Sequence, residues 1–137
     1  DLRALLTFSQ SLCSALERAS SAYGAESAAH ADLDSLAKRL TATHGDRSLL
    51  AAVEKLRDAT AGHDGDADLQ AISGRIGALE ADAESADIAP TAADLEVLRK
   101  ESAALDQAVG AWRSSQTAIG KLNVRLRGAR LPTVGGR

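Results

Sequence analysis

Apolar residues recur along this chain at spacings of three and four. Stepping alternately by three and four from Leu2 meets Leu2, Leu5, Ser9, Leu12, Leu16, Ala19, Tyr23, Glu26, His30, Leu33, Ala37 and Leu40. A stripe of about six heptads predicts one long helix to about Thr43. Gly24 lies off the stripe and leaves its phase unchanged, so it is a soft spot costing about 1 kcal/mol against Ala. His44-Gly45-Asp46 then reads as a stop and restart. Gly45 suits the left-handed position after a helix, and Asp46 suits the next N-cap. A short second helix follows with Leu49, Val53 and Leu56 on one face, ending at the turn Ala61–Asp68. A third carries Leu69, Ile72, Ile76, Leu79 and Ala83, weakened by Gly74 and Gly77.

Ala89-Pro90-Thr91 breaks the pattern again. Proline has no N–H for a helical hydrogen bond and disfavours the helical conformation of the residue before it. Thr91 and Asp94, three apart, form a variant of the capping box and predict the start of a fourth helix. Its stripe is Leu95, Leu98, Ser102, Leu105, Val109, Trp112, Gln116, Ile119, Asn123 and Leu126. One of its two series is always large and apolar (Leu98, Leu105, Trp112, Ile119, Leu126). The other degrades to Gln116 and Asn123, amides of the kind that fix register on a seam at a cost in stability. Trp112 is therefore expected inside, with exposure rising beyond it. Gly128 and Pro132 stop the helix.

Together these patterns predict helices at about 2–43, 46–61, 67–87 and 91–128 in one bundle over residues 1–131. Residues 132–137 are expected to be a flexible tail, and Asp1 a cap of the first helix. The fold class is all-α: an elongated antiparallel up-and-down bundle with two long helices and two shorter middle helices. Each long helix of about 40 residues spans roughly 60 Å. The two middle helices sum to a similar length, which suggests three columns; a four-helix up-and-down arrangement is the alternative.

Composition narrows the function classes. The 137 residues carry a formal charge of −3, which gives no general case for nucleic acid. Apolar residues make up 45 %, much of it Ala, and Phe8, Tyr23 and Trp112 are the aromatics, so the core is thin and suited to close-packed helices. Cys13 is single, which excludes an internal disulfide and a Cys-based zinc site. It is expected to pack beside the first stripe as a small hydrophobe. No apolar run reaches the roughly 18 residues of a membrane span, and no stretch has the pattern of a signal peptide. The chain lacks Met and begins on Asp1, which points to an excised domain or a processed chain.

Candidate chemistry is sparse. Asp64–Asp68 has the density of acids of a calcium loop, but the sixth and twelfth positions hold Leu69 and Arg75 where Gly and Glu are needed. His30, His44 and His63 lie on separate segments without ligand spacing. No Gly-x-Ser-x-Gly elbow, glycine-rich phosphate loop or Glu-x-x-His metal pattern occurs. The expectation is a protein that is not an enzyme and uses no cofactor. No acidic residue follows Asp106, whereas Lys121, Arg125, Arg127 and Arg130 do. These four are the candidate partner-interaction surface. A basic helix end also complements its own dipole, and without interleaved aromatics it does not suggest a nucleic-acid partner.

Four stretches carry a family resemblance: DLRALL (1–6), ADIAPTAADLEVL (86–98), ALDQAVGAW (104–112) and KLNVRLRGARLPTV (121–134). Their order resembles the C-terminal helical region of bacterial sortilin-like proteins, large chains with β-propeller blades of the Vps10 or BNR kind, often labelled glycosyl hydrolases. The excess of Arg over Lys fits a GC-rich bacterial genome. The resemblance implies a non-catalytic helical accessory domain of an exported parent, periplasmic or extracellular. Its partner would be the parent's own propeller, a second copy or another protein. Any hydrolase activity would belong to the propeller, so no catalytic residue is implied here. The alternative is a stand-alone helical adaptor or coiled-coil oligomerisation module. In this chain the linker between the middle helices is shorter than in that family.

Overall fold

A computed structural model describes residues 2–61, 68–85 and 90–135. It is all-α, with α1 at Leu2–Ala42, α2 at Arg47–Thr60, α3 at Leu69–Ser85 and α4 at Ala92–Gly128, and no strand among the described residues. Asp1, His63 and most of the acidic run Asp64–Asp68 lie outside the described residues.

The helix ends follow local chemistry. Asp46 accepts from the N–H groups of Ser48 and Leu49 and so caps α2. Thr91 and Asp94 cap α4 reciprocally: the Thr91 N–H donates to Asp94 Oδ2 at 2.9 Å, and the Asp94 N–H donates to Thr91 Oγ1 at 3.1 Å. The stop after α1 differs from expectation. His44, not Gly45, takes the left-handed conformation, with φ 52°. The Gly45 N–H bonds to the Leu40 carbonyl and the His44 N–H to the Thr41 carbonyl, the pairing of a Schellman motif. Gly45 is needed for space, because a Cβ there would lie 2.8 Å from Leu40 Cδ2. The same pairing closes α4, with Leu131 and Arg130 bonding back to Leu126 and Arg127, and Arg130 left-handed at φ 58°. Gly128 is only the last helical residue.

Contacts divide the chain into two compact units. Neither gathers all four helices. The first unit holds α1 through Tyr23, α3, and α4 through Gly110. Its core is Phe8, Leu12, Ala15, Ala19, Ala22, Leu69, Ile72, Ile76, Leu105 and Ala108 among the described residues. Arg18 pairs with Asp106 at 2.8 Å across α1 and α4. Arg75 reaches Glu101 at 2.9 Å across α3 and α4. Glu101 is 8 % exposed, and its second carboxylate oxygen has no hydrogen-bond partner among the described residues. Cys13 is exposed, contrary to the packed position expected, and its thiol donates to Glu80 Oε1 at 3.5 Å.

The second unit holds α1 from Gly24, all of α2, and α4 from Ala111 with the residues after it. A tight turn joins α1 to α2, and Arg57 and Thr60 at the far end of α2 meet His30 in α1, so these two helices are antiparallel. Arg125 near the end of α4 donates to Ser48 at the start of α2, which makes α4 antiparallel to α2 and parallel to α1. His30 Nδ1 lies 3.0 Å from the Arg57 carbonyl; a carbonyl only accepts, so this bond puts a proton on Nδ1. Asp34 links Lys38 and Arg57. Its hydrogen bond from Lys38 holds the carboxyl below the ordinary aspartate range, against the opposing effect of burial.

The buried stripe of both long helices is half of the expected one. Leu12, Ala19, Leu33 and Leu40 are buried on α1, and Leu105, Trp112, Ile119 and Leu126 on α4, all in one heptad series as expected. The companion series is displaced by one residue. Phe8, Ala15, Ala22 and Ala29 are buried in place of Ser9, Leu16, Tyr23 and His30, Leu36 is buried beside the expected Ala37, and Glu101, Ala108 and Leu122 are buried in place of Ser102, Val109 and Asn123. A helix packed against two neighbours buries a face wider than a two-helix seam, and small residues serve where the neighbour is close. The first residue of each expected stripe is exposed: Leu2 is 82 % and Leu95 50 % accessible.

Candidate functional site

The four basic residues read from the sequence are all exposed. The fold does not bring them together on one face. Lys121 and Arg125 stand one turn apart on the same side of α4, with Val124 beside them at 62 % exposure. Arg127 follows Asn123 by four and Gly120 by seven, which puts it on the side of those residues instead. Arg130 lies past the helix end in its left-handed position. Arg125 donates to Ser48 Oγ at 3.2 Å. Among the described residues no ion pair engages any of the four.

Beside this end of α4 lies an open groove of about 470 Å³ between α1 and α4 in the second unit. Ala25, Ala28 and Ala29 form its α1 wall, and Gln116, Gly120 and Asn123 its α4 wall. Side chains this small on one wall, and a glycine on the other, leave the space between the helices unfilled. Trp112 and Ile119 also line it. Trp112 is 6 % exposed, in keeping with its place in the apolar series. The core does not thin beyond it, as the seam amides suggested: Ile119, Leu122 and Leu126 are all buried. Gln116 is exposed, and Asn123 is half-buried.

Asn123 holds the segment expected to fray. Its Nδ2 donates to the Val134 carbonyl at 3.0 Å, and its Oδ1 accepts from the Val134 N–H at 2.8 Å. The next N–H, of Gly135, donates to Asp32 Oδ2 on α1 at 3.0 Å. Val134 is 4 % exposed, a core residue of the second unit. Pro132–Gly135 is therefore a docked strap, and Asn123 serves it rather than setting helix register. A second hollow of about 160 Å³ lies against the strap, between Pro132 and Thr133 and the α1 residues Asp32, Ser35, Leu36 and Arg39. Sequence periodicity missed this feature because the strap has none. Its signal was an amide on a seam, followed eleven residues later by an apolar β-branched residue before a glycine.

Among the described residues no group of three or more His, Cys, Asp or Glu stands close enough to hold a metal, and no helix is long and apolar enough to cross a membrane. No protein family, curated protein or solved structure matches the chain.

Proposed function

We propose that this chain is a non-catalytic helical accessory domain that works by binding protein. In this reading it belongs to a larger bacterial sortilin-like propeller protein and packs against that propeller, against another copy or against a separate partner. The parent is suggested by the four resembling stretches alone. The interaction role rests on one observation: a basic end of α4 with exposed Lys121 and Arg125 flanking an exposed Val124, and no ion pair among the described residues. A cationic rim around an apolar contact suits an acidic protein surface, where the charges steer the encounter and exclude wrong partners.

The second reading is a stand-alone adaptor or oligomerisation module. Exposed Leu2 and Leu6 on α1, with Leu95 and Val97 on α4, favour it, because these large apolar residues of the first unit face solvent.

The reading frame of the gene is the first test: propeller blades upstream are expected. The second is calorimetric titration of the chain with the separately produced propeller. Lys121→Glu with Arg125→Glu is expected to weaken binding by at least about tenfold. A frame without blades overturns the parent assignment. An affinity indifferent to the two reversals overturns the basic surface. A frame without blades together with concentration-dependent self-association in sedimentation velocity, abolished by Leu6→Glu, would favour the second reading.

A further inference from the structure

Asn123 offers both a donor and an acceptor from one planar amide, and both go to a single residue, Val134. This copies the pairing of directly opposed residues in an antiparallel sheet, where two residues exchange both backbone bonds. A side chain that satisfies both backbone groups of one residue reads backbone, and so accepts an irregular segment without needing a neighbouring strand. Asp32 takes the next N–H from the opposite wall. The side chain between these two polar contacts is buried. Gly135 follows with φ 71°, a conformation open to glycine and strained for L side chains. The groove then continues past Val134 and Gly135 along the Ala wall toward Trp112.

We infer that the space between Asp32 and Asn123 is a peptide-binding site, occupied in cis by the chain's own Pro132–Gly135 strap. The ligand class is a short peptide carrying a small β-branched apolar residue followed by glycine. Backbone recognition supplies the affinity, and the buried pocket around Val134 with the left-handed glycine supplies the selectivity. The strap is a latch. When it is displaced, the site and the adjoining groove open to a peptide of the same chemistry in trans. This site is separate from the basic face of Lys121 and Arg125, so it stands or falls independently of the proposed function.

Two measurements test it. In the full wild-type chain, amide hydrogen exchange at Val134 and Gly135 is expected to be at least about tenfold slower than in a free peptide. Asn123→Ala should remove that protection while the amides of α2 keep theirs. In the full-length Val134→Asp variant, the strap is released, and Trp112 emission should shift to the red. A synthetic peptide spanning residues 130–136 should restore the blue emission saturably. The same peptide carrying Val134→Asp should fail, and the receptor carrying Asn123→Ala should bind the wild-type peptide about tenfold more weakly. Free-peptide exchange rates at Val134 in the wild-type chain overturn the inference outright. So does peptide binding that is indifferent to Asn123. If Val134→Asp prevents folding, the exchange comparison between wild type and Asn123→Ala decides alone.

Discussion

Thr91 and Asp94 each satisfy the other's backbone N–H at the start of α4, at 2.9 and 3.1 Å. Each bond occupies a donor that the first turn of a helix leaves without an internal partner. Thr91→Ala removes one bond outright and should cost about 0.5–2 kcal/mol. Thr91→Ser keeps the hydroxyl and should cost less. Chemical denaturation midpoints check both; an unchanged midpoint in Thr91→Ala would mean that the cap contributes nothing.

Trp112 is buried between the helices of the second unit, with its neighbours Ile119 and Ala29 also buried. Its emission should lie to the blue of tryptophan in water and resist acrylamide. Trp112→Ala should destabilise the chain by about 3–5 kcal/mol, the range for deleting a large aromatic from a core. The adjoining groove gives the remaining side chains room to relax, which favours the lower end. A cost under about 1 kcal/mol, the ordinary scale for a surface substitution, would contradict the packed position.

His44 and Arg130 both hold left-handed backbone at the Schellman position that glycine fills most readily. His44→Gly and Arg130→Gly should each raise stability by up to about 1 kcal/mol, since relief of strain in the folded state exceeds the added freedom of the unfolded chain. The adjacent glycine behaves oppositely. Gly45→Ala forces its new methyl to within 2.8 Å of Leu40 Cδ2 and should lower the melting temperature. Thermal unfolding of the three single variants tests the contrast; stabilisation by Gly45→Ala would refute it.

Arg75 is the guanidinium that accompanies the buried Glu101 carboxylate. Arg75→Ala should cost about 1–3 kcal/mol, because the carboxylate is left in a nearly closed site without that partner. Glu101→Leu in the Arg75→Ala background should recover much of the loss, as removing both charges avoids an uncompensated one. A double-mutant cycle with no coupling energy would show that the pair is incidental.

Much of the fold is legible in the local order of residues. Capping chemistry at Asp46 and at Thr91 with Asp94 is written within four residues, and a heptad series of large side chains marks one buried edge of each long helix. These features depend on contacts within a turn or two, so they survive in a one-dimensional reading. The exposed basic residues after Asp106 are legible for the same reason: nothing acidic nearby in sequence neutralises them.

What required the tertiary structure is the width of each buried face, the division of contacts and the strap. A heptad names one line along a helix, whereas two neighbours bury a band; only their positions select Phe8 and Leu122 over Ser9 and Asn123. Ala at positions 15, 22 and 29 is neutral in sequence and becomes core where another helix comes close. The docking of Val134 depends on Asn123 and on Asp32, the latter more than a hundred residues away, and no local periodicity encodes a pairing across that distance. The sequence by itself determined four helices and the N-caps of α2 and α4, because helix formation is a local balance of backbone bonds and side-chain spacing. The tertiary structure decided which faces close and what the seam amide holds, because burial is set by neighbours distant along the chain.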